Sequence, residues 1–285
     1  MIKSTKLTAM ALFAAASIFT TNVNAQLKTP APSPAQTVKQ AFALSEITID
    51  YSRPSVKGRT IFGDVVPFGK VWRTGANGST KITFGEDVKV EGNDVKAGTY
   101  AIYSVPDKDM WEIMLYKDLT MGGDVSSYKK EDEVLRFKVK SSALASNVET
   151  FTINVADVTS SKANIEIQWE KTRVAFSVVA DIDTKIMKNI ENSVIKDNKP
   201  YFSAASYYYE NDKDMKLALE WADKAVAANP KAYWVVLLKA KIQVKLKDNK
   251  GANATATQAL TLAKEDQDDA YVKMAEKIIA ETKGK

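Results

Sequence analysis

Apolar side chains alternate with polar ones along much of the chain up to about residue 180, where the alternation stops. Ile47, Ile49 and Tyr51 are separated by polar positions, and Leu135, Phe137 and Val139 alternate with Arg136, Lys138 and Lys140. Phe151, Ile153 and Val155 alternate with Thr152 and Asn154, and Ile165, Ile167 and Trp169 with Glu166 and Gln168. A period of two marks strands with one face in a core and the other in water. Further strands are predicted over residues 81–84, 88–90, 99–105, 111–116 and 172–179. Turn signals such as Gly92-Asn93-Asp94 and Pro106-Asp107-Lys108 lie between them. About nine short strands of this kind predict an antiparallel β-sandwich or jelly-roll-like domain over residues 37–180.

From residue 184 the period becomes helical and glycine almost disappears. Residues 185–194 are amphipathic, Pro200 opens a new helix, and residues 270–281 read as a closing helix with a charged outer face. Ser206, Ala218 and Ala225 recur 34 residues later as Ala240, Ala252 and Ala259. Small residues at that spacing let paired helices approach closely, as in a tetratricopeptide repeat. Tyr209 and Pro230 complete the pattern in the first unit; Gln243 and Lys264 stand there in the second. The second part is therefore expected to be a small tetratricopeptide-like helical domain over residues 184–285, the fold class being multidomain, β then α. Such helices either serve protein contact, for which Tyr207, Tyr208 and Trp234 are the expected side chains, or form a small bundle that packs on the sandwich or spaces it from another body. Adjacent tyrosines on one helix point about 100° apart, so at least one of Tyr207, Tyr208 and Tyr209 should be exposed.

The first 25 residues break the β pattern in another way. Lys3 and Lys6, an apolar run over residues 7–20 and then Val23-Asn24-Ala25 have the layout of a secretory signal peptide. A Pro-rich linker over residues 26–36 follows. The mature chain is expected to be exported, periplasmic in the first instance because it finishes in a helix and a Lys-Gly-Lys tail without a β sorting module, with the extracellular space as the alternative. No later segment has the length of apolar sequence that crosses a membrane as a helix.

Charge and composition then remove whole classes of function. Loss of Lys3 and Lys6 leaves 38 basic against 35 acidic residues, about +3, a mixed surface with no preference for nucleic acid or membrane. Cysteine is absent, so the exported fold rests on its cores. Histidine is absent as well. That excludes Ser-His and Cys-His nucleophiles, imidazole bases and His or Cys zinc sites. No Gly-rich phosphate cradle precedes a helix. Neither a cofactor nor a metal is expected; Asp124 after Gly122-Gly123 is a weak calcium candidate without the spaced oxygen ligands a calcium loop needs. An enzyme made from this sequence would have to work with carboxylates, Lys, Tyr or Ser, and the rival reading is a carboxylate-based, carbohydrate-active hydrolase.

The stretch GKVWRTGANGST over residues 69–80 is the most site-like in the β half. Trp72 offers a flat apolar face, Arg73 a planar donor fork, and Asn77 both a donor and an acceptor, with Arg53 and Arg59 upstream to join them. Such a set suits a small acidic or polyol ligand. The alternative is structural: Trp72 plugs the core, Arg73 pairs with a carboxylate such as Asp64, and Asn77-Gly78 makes a tight turn.

Taken together, Tyr51-Ser52-Arg53-Pro54, Gly58-Arg59-Thr60-Ile61-Phe62-Gly63 and Val66-Pro67-Phe68-Gly69-Lys70-Val71-Trp72-Arg73-Thr74-Gly75-Ala76-Asn77 resemble the signature of an exported family common in Bacteroidota, domain of unknown function 2911. Ala97-Gly98-Thr99-Tyr100, Ser104-Val105-Pro106 and Trp111-Glu112-Ile113 fit the same pattern, over about residues 33–179. The resemblance implies export, a β-sandwich and frequent helical extensions, and brings no activity, ligand or catalytic residue. The expectation is a non-enzymatic binding or scaffold protein, its sandwich recognising a small molecule, glycan or protein. The alternatives are the hydrolase, or a structural sandwich with all recognition in the helices.

Overall fold

A computed structural model describes residues 29–195 and 200–284. The signal-peptide expectation falls outside the described residues. Nine strands come first, β1 (Ala35–Phe42), β2 (Ser45–Ser52), β3 (Thr80–Phe84), β4 (Val88–Val90), β5 (Asn93–Val95), β6 (Gly98–Val105), β7 (Met110–Tyr116), β8 (Glu133–Ala156) and β9 (Lys162–Ala180). Six helices follow, α1 (Asp183–Ile195), α2 (Tyr201–Glu210), α3 (Met215–Ala228), α4 (Tyr233–Lys245), α5 (Asn249–Glu265) and α6 (Asp269–Thr282).

The strands form one open antiparallel sheet in the order β1-β2-β3-β6-β7-β8-β9-β4-β5. Two long strands make it sandwich-like. The first part of β8 pairs with β7 over Glu133 to Lys140, and the second part with β9 from Ser141 onward, across two bulges. The sheet therefore folds over along β8, and the inner faces of both wings close on one core that includes Ile47, Ile82, Trp111, Phe151, Ile165 and Trp169. The chain leaving β2 stitches the wings together. Val56 N–H donates to Glu149 O at 2.8 Å, and Phe151 N–H to Pro54 O at 2.8 Å.

The strand count matches the expectation, but the division along the chain does not. The runs at 135–139 and 151–155 are the two ends of β8, and those at 165–169 and 172–179 belong to β9. In β9 the inward residues are Ala163, Ile165, Ile167 and Trp169, then Val174, Phe176, Val178 and Ala180. The parity changes because Glu170 takes a left-handed conformation, φ 54°, opposite a register shift in β8. A bulge of this kind inserts one residue and returns the same face to the core. β1 and β5 were not foreseen. β1 starts at Ala35, inside the expected linker, and as an edge strand alternates exposed with half-buried side chains and fully buries only Phe42. β5 occupies the expected turn at Asn93-Asp94.

The expectation of one wet face per strand fails at β6 and β7. Ala101, Tyr103, Met114 and Tyr116 point away from the main core and are buried all the same, beneath residues 117–132. Tyr103, Tyr116 and Tyr128 pack ring against ring there, with Met121 beside them.

In the helical part the small residues of the 34-residue pattern sit where paired helices meet. Ala218, Ala240 and Ala252 are fully buried, Ala225 and Ala259 nearly so, and Ser206 is half-buried. Asp214 and Asp248 share the spacing and cap α3 and α5 by accepting backbone N–H bonds, from Lys216 and Leu217 and from Gly251. One core gathers Tyr208 and Trp221 between α1, α2 and α3; another lies between α4, α5 and α6 around Val236 and Ile278.

Candidate functional site

The 69–80 loop is built from its backbone outward. Trp72 forms a two-way bridge with Ser104 of β6, N–H to O distances of 2.7 and 2.8 Å, which turns its indole toward the core. There it is 9 % exposed, stacks at 6.1 Å on Trp169, and meets Phe62, Trp111 and Phe151 edge-on. Its Nε1–H donates to Gly75 O at 3.1 Å. The turn is made by Thr74, Gly75 and Asn77, at φ 54°, 153° and 59°; Gly78 is not left-handed, so the expected Asn-Gly turn is only half right. Thr74 Oγ1 bonds Ser104 Oγ at 2.8 Å, and the Thr80 hydroxyl donates to Thr74 O.

The four polar side chains proposed beside Trp72 each have their own neighbours. Arg53 donates from Nε to Phe151 O at 3.0 Å and from Nη2 to Thr152 Oγ1 at 2.8 Å, fastening the 53–56 stretch to β8. Arg59 donates to Val56 O and Ser55 O at 3.0 and 2.7 Å. Asn77 donates to Ser33 O and Ser52 Oγ, each at 3.2 Å, tying its turn to the ends of β1 and β2. Arg73 leaves the other face of the loop and lies against Gly123, so closely that a Cβ there would come within 2.8 Å of Nη1. It makes no ion pair with Asp64 or any other described carboxylate. Its Nε is buried without a partner, and so is the nearby Ser79 Oγ. Beside them burial raises the pKa of the Tyr103 hydroxyl, against smaller downward pulls from Ser79 and the Arg73 charge.

Among the described residues the carboxylates whose pKa is displaced are ion-paired or hydrogen-bonded. Glu112 and Glu133 clamp Arg136, and Tyr128 Oη donates to Glu133 at 3.0 Å. Glu133 is the buried member of the pair, its side chain 7 % exposed. Asp118 and Asp124 bond backbone N–H groups of their own turns, at Thr120 and Ser126, which is what holds their pKa values below the usual carboxylate range together with the neighbouring hydroxyls. Asp87, Glu133 and Asp183 are displaced the same way, chiefly by Lys96, Arg136 and Lys213. A general acid needs the opposite displacement.

One concave surface, of about 410 Å³, lies on the sheet beside β4 and β5, lined by Asp87, Lys89, Asp94, Lys96 and Asp181, and others lie on the helices. Tyr207 is half-buried and donates to Asp183 at 2.7 Å; Tyr208 is buried against Trp221; Trp234 is 40 % exposed. A space of about 720 Å³ lies between α1 and the α2–α3 hairpin, with Lys188, Glu191 and Asp183, the last paired with Lys213, on its lining. A second, of about 320 Å³, is lined by α2, α4 and α6. Val244, Met274 and Ile278 form its floor, and Lys241, Lys245 and Lys277 its rim, opposed by Glu281. The Lys245 ammonium lies 4.5 Å above the Tyr209 ring and also bonds Asp212; Lys241 has no ion pair among the described residues. The linear sequence hides this groove because its lysines come from helices about thirty residues apart, although Lys241 and Lys245 already share a face at a spacing of four.

An open antiparallel sheet carrying a run of packed helices defines the class, a β-then-α protein. Within it the chain belongs to the family described as Protein of unknown function (DUF2911), whose model matches residues 33–178. The match takes in the whole sheet except the last two residues of β9 and leaves the helices outside it. No curated protein and no solved structure matches the chain.

Proposed function

We propose that this is an exported, non-enzymatic binding protein whose sheet is a scaffold and whose tetratricopeptide-like helices hold an extended, acidic and partly apolar segment of a partner protein. The observation that carries the reading is the groove between α2, α4 and α6, with an apolar floor and a lysine rim on which Lys241 has no ion pair among the described residues, while Lys245 and Lys277 pair with Asp212 and Glu281. An extended segment buries apolar side chains on such a floor while its carboxylates meet the rim, the two terms that give affinity and register. Charge reversal at Lys241→Glu with Lys277→Glu is expected to lower affinity for acidic peptides by at least about tenfold, since it places two carboxylates on the rim, one half-buried at 241 and one exposed at 277. Unchanged affinity in a folded double variant rules the groove out.

A second reading keeps a small acidic or polyol ligand for the β half, at Arg73. The orphaned Arg73 Nε and Ser79 Oγ favour it, because buried donors without partners are uncommon. Arg73→Gln should then abolish binding of small carboxylates or sugars with little change in melting temperature, whereas Asn77→Ala acts through stability because Asn77 serves the scaffold.

A further inference from the structure

Trp234 opens the α4 helix and keeps 40 % of its surface in water, while the other four tryptophans, Trp72, Trp111, Trp169 and Trp221, are each 9 % exposed or less. It stands perpendicular to Tyr233, rings 5.0 Å apart, and Tyr233 meets Tyr271 edge-on at the same distance. This row of rings borders a space of about 330 Å³ whose other wall is Glu265 and Asp266 at the end of α5. The acidic residues continue through Asp268 and Asp269. Asp268 accepts the Tyr233 hydroxyl at 3.0 Å while capping α6, and none of the four forms an ion pair among the described residues. Burial and the Asp268 hydrogen bond push the Tyr233 hydroxyl up to about 12. Lys231 is the one cation on the rim, an exposed residue on a flexible stem.

We infer that this corner is a binding site for an arginine side chain of a partner protein segment: the guanidinium stacks on the exposed Trp234 face while Glu265 and Asp266 take its N–H groups. An exposed indole alone would accept any apolar face, and carboxylates alone any cation. Together they select a cation that is flat, weakly hydrated and able to fork, which is arginine rather than lysine. The site is separate from the lysine-rimmed groove and opposite to it in charge, so either can fail without the other.

The test uses the full mature chain and two short peptides, one carrying two arginines between glycines and the other citrulline at the same positions. The arginine peptide is expected to shield Trp234 from acrylamide quenching, with no shielding in Trp234→Ala. Its affinity should fall about fivefold in Trp234→Ala. It should fall at least as far in Glu265→Gln with Asp266→Asn, and hold within about twofold in Trp234→Phe, which keeps an aromatic wall should the alanine variant fail to fold. Citrulline should bind worst. Equal binding of the two peptides, absence of shielding, or full affinity in the charge-neutralised variant would each overturn the assignment.

Discussion

Individual side chains in the 69–80 loop have mostly structural work to do. Trp72 and Trp111 share one aromatic cluster, yet only Trp72 has a partner for its indole N–H, at Gly75 O; the Trp111 and Trp169 nitrogens are buried without one. Trp72→Phe is therefore expected to cost about 1 kcal/mol more than Trp111→Phe in chemical denaturation, since it also strands the Gly75 carbonyl. Equal costs would mean that the bond contributes nothing. Gly75 itself sits at φ 153°, and a Cβ there would lie 3.1 Å from Thr80 Oγ1 and 3.3 Å from Ser52 O. Gly75→Ala should lose about 1–3 kcal/mol, read as a lower melting temperature with an unchanged circular dichroism spectrum. The core role of Trp72 was legible in sequence, because a lone tryptophan beside a turn has few other uses. The engagement of Arg53 and Arg59 was not: both donate mainly to backbone carbonyls, and a carbonyl leaves no mark on residue type.

At the scale of elements, alternation located seven strands and misjudged where they begin and end. A one-residue bulge leaves the hydrophobic face intact on both sides, so β9 reads as two strands separated at Glu170-Lys171. β1 escaped because an edge strand buries too little to need alternation, and β5 because three residues carry no period. The buried outer face of β6 and β7 was written in Trp111-Glu112-Ile113-Met114-Leu115-Tyr116, too apolar for a strand with a wet side, but only the fold shows that residues 117–132 cover it. That cover is held by Glu133, Arg136 and Tyr128, and it gives the stability a pH dependence of definite sign. The Arg136 hydrogen bonds hold Glu133 below the usual carboxylate range against the opposing effect of burial. A depressed folded-state pKa stabilises above the unfolded value of about 4.3 and loses that contribution as pH falls through the folded value. Glu133→Gln should thus be less stable than the parent at neutral pH, with the difference shrinking under acid. In the helices, Asp214→Ala removes an acceptor for two backbone N–H groups and should cost about 1 kcal/mol by thermal melting.

At the scale of the molecule, the polar chemistry divides unevenly. The sheet uses its arginines and most of its carboxylates to tie loops down, Arg73 excepted. The helices leave charge on the walls of concave surfaces: lysines on the α2, α4 and α6 groove, carboxylates beside Trp234. The arrangement of β followed by α was legible from the change of period near residue 184, and the small-residue spacing of 34 anticipated where helices approach. The grooves were not legible, because each is assembled from separate helices and only packing brings them together. The most direct measurement is hydrogen–deuterium exchange of the full mature chain with and without the tightest peptide from an acidic array. Recognition by the helices predicts new protection in α2, α4 and α6 and none in residues 69–80. Protection confined to residues 69–80 and 117–132, or no acidic peptide bound at all, would contradict it.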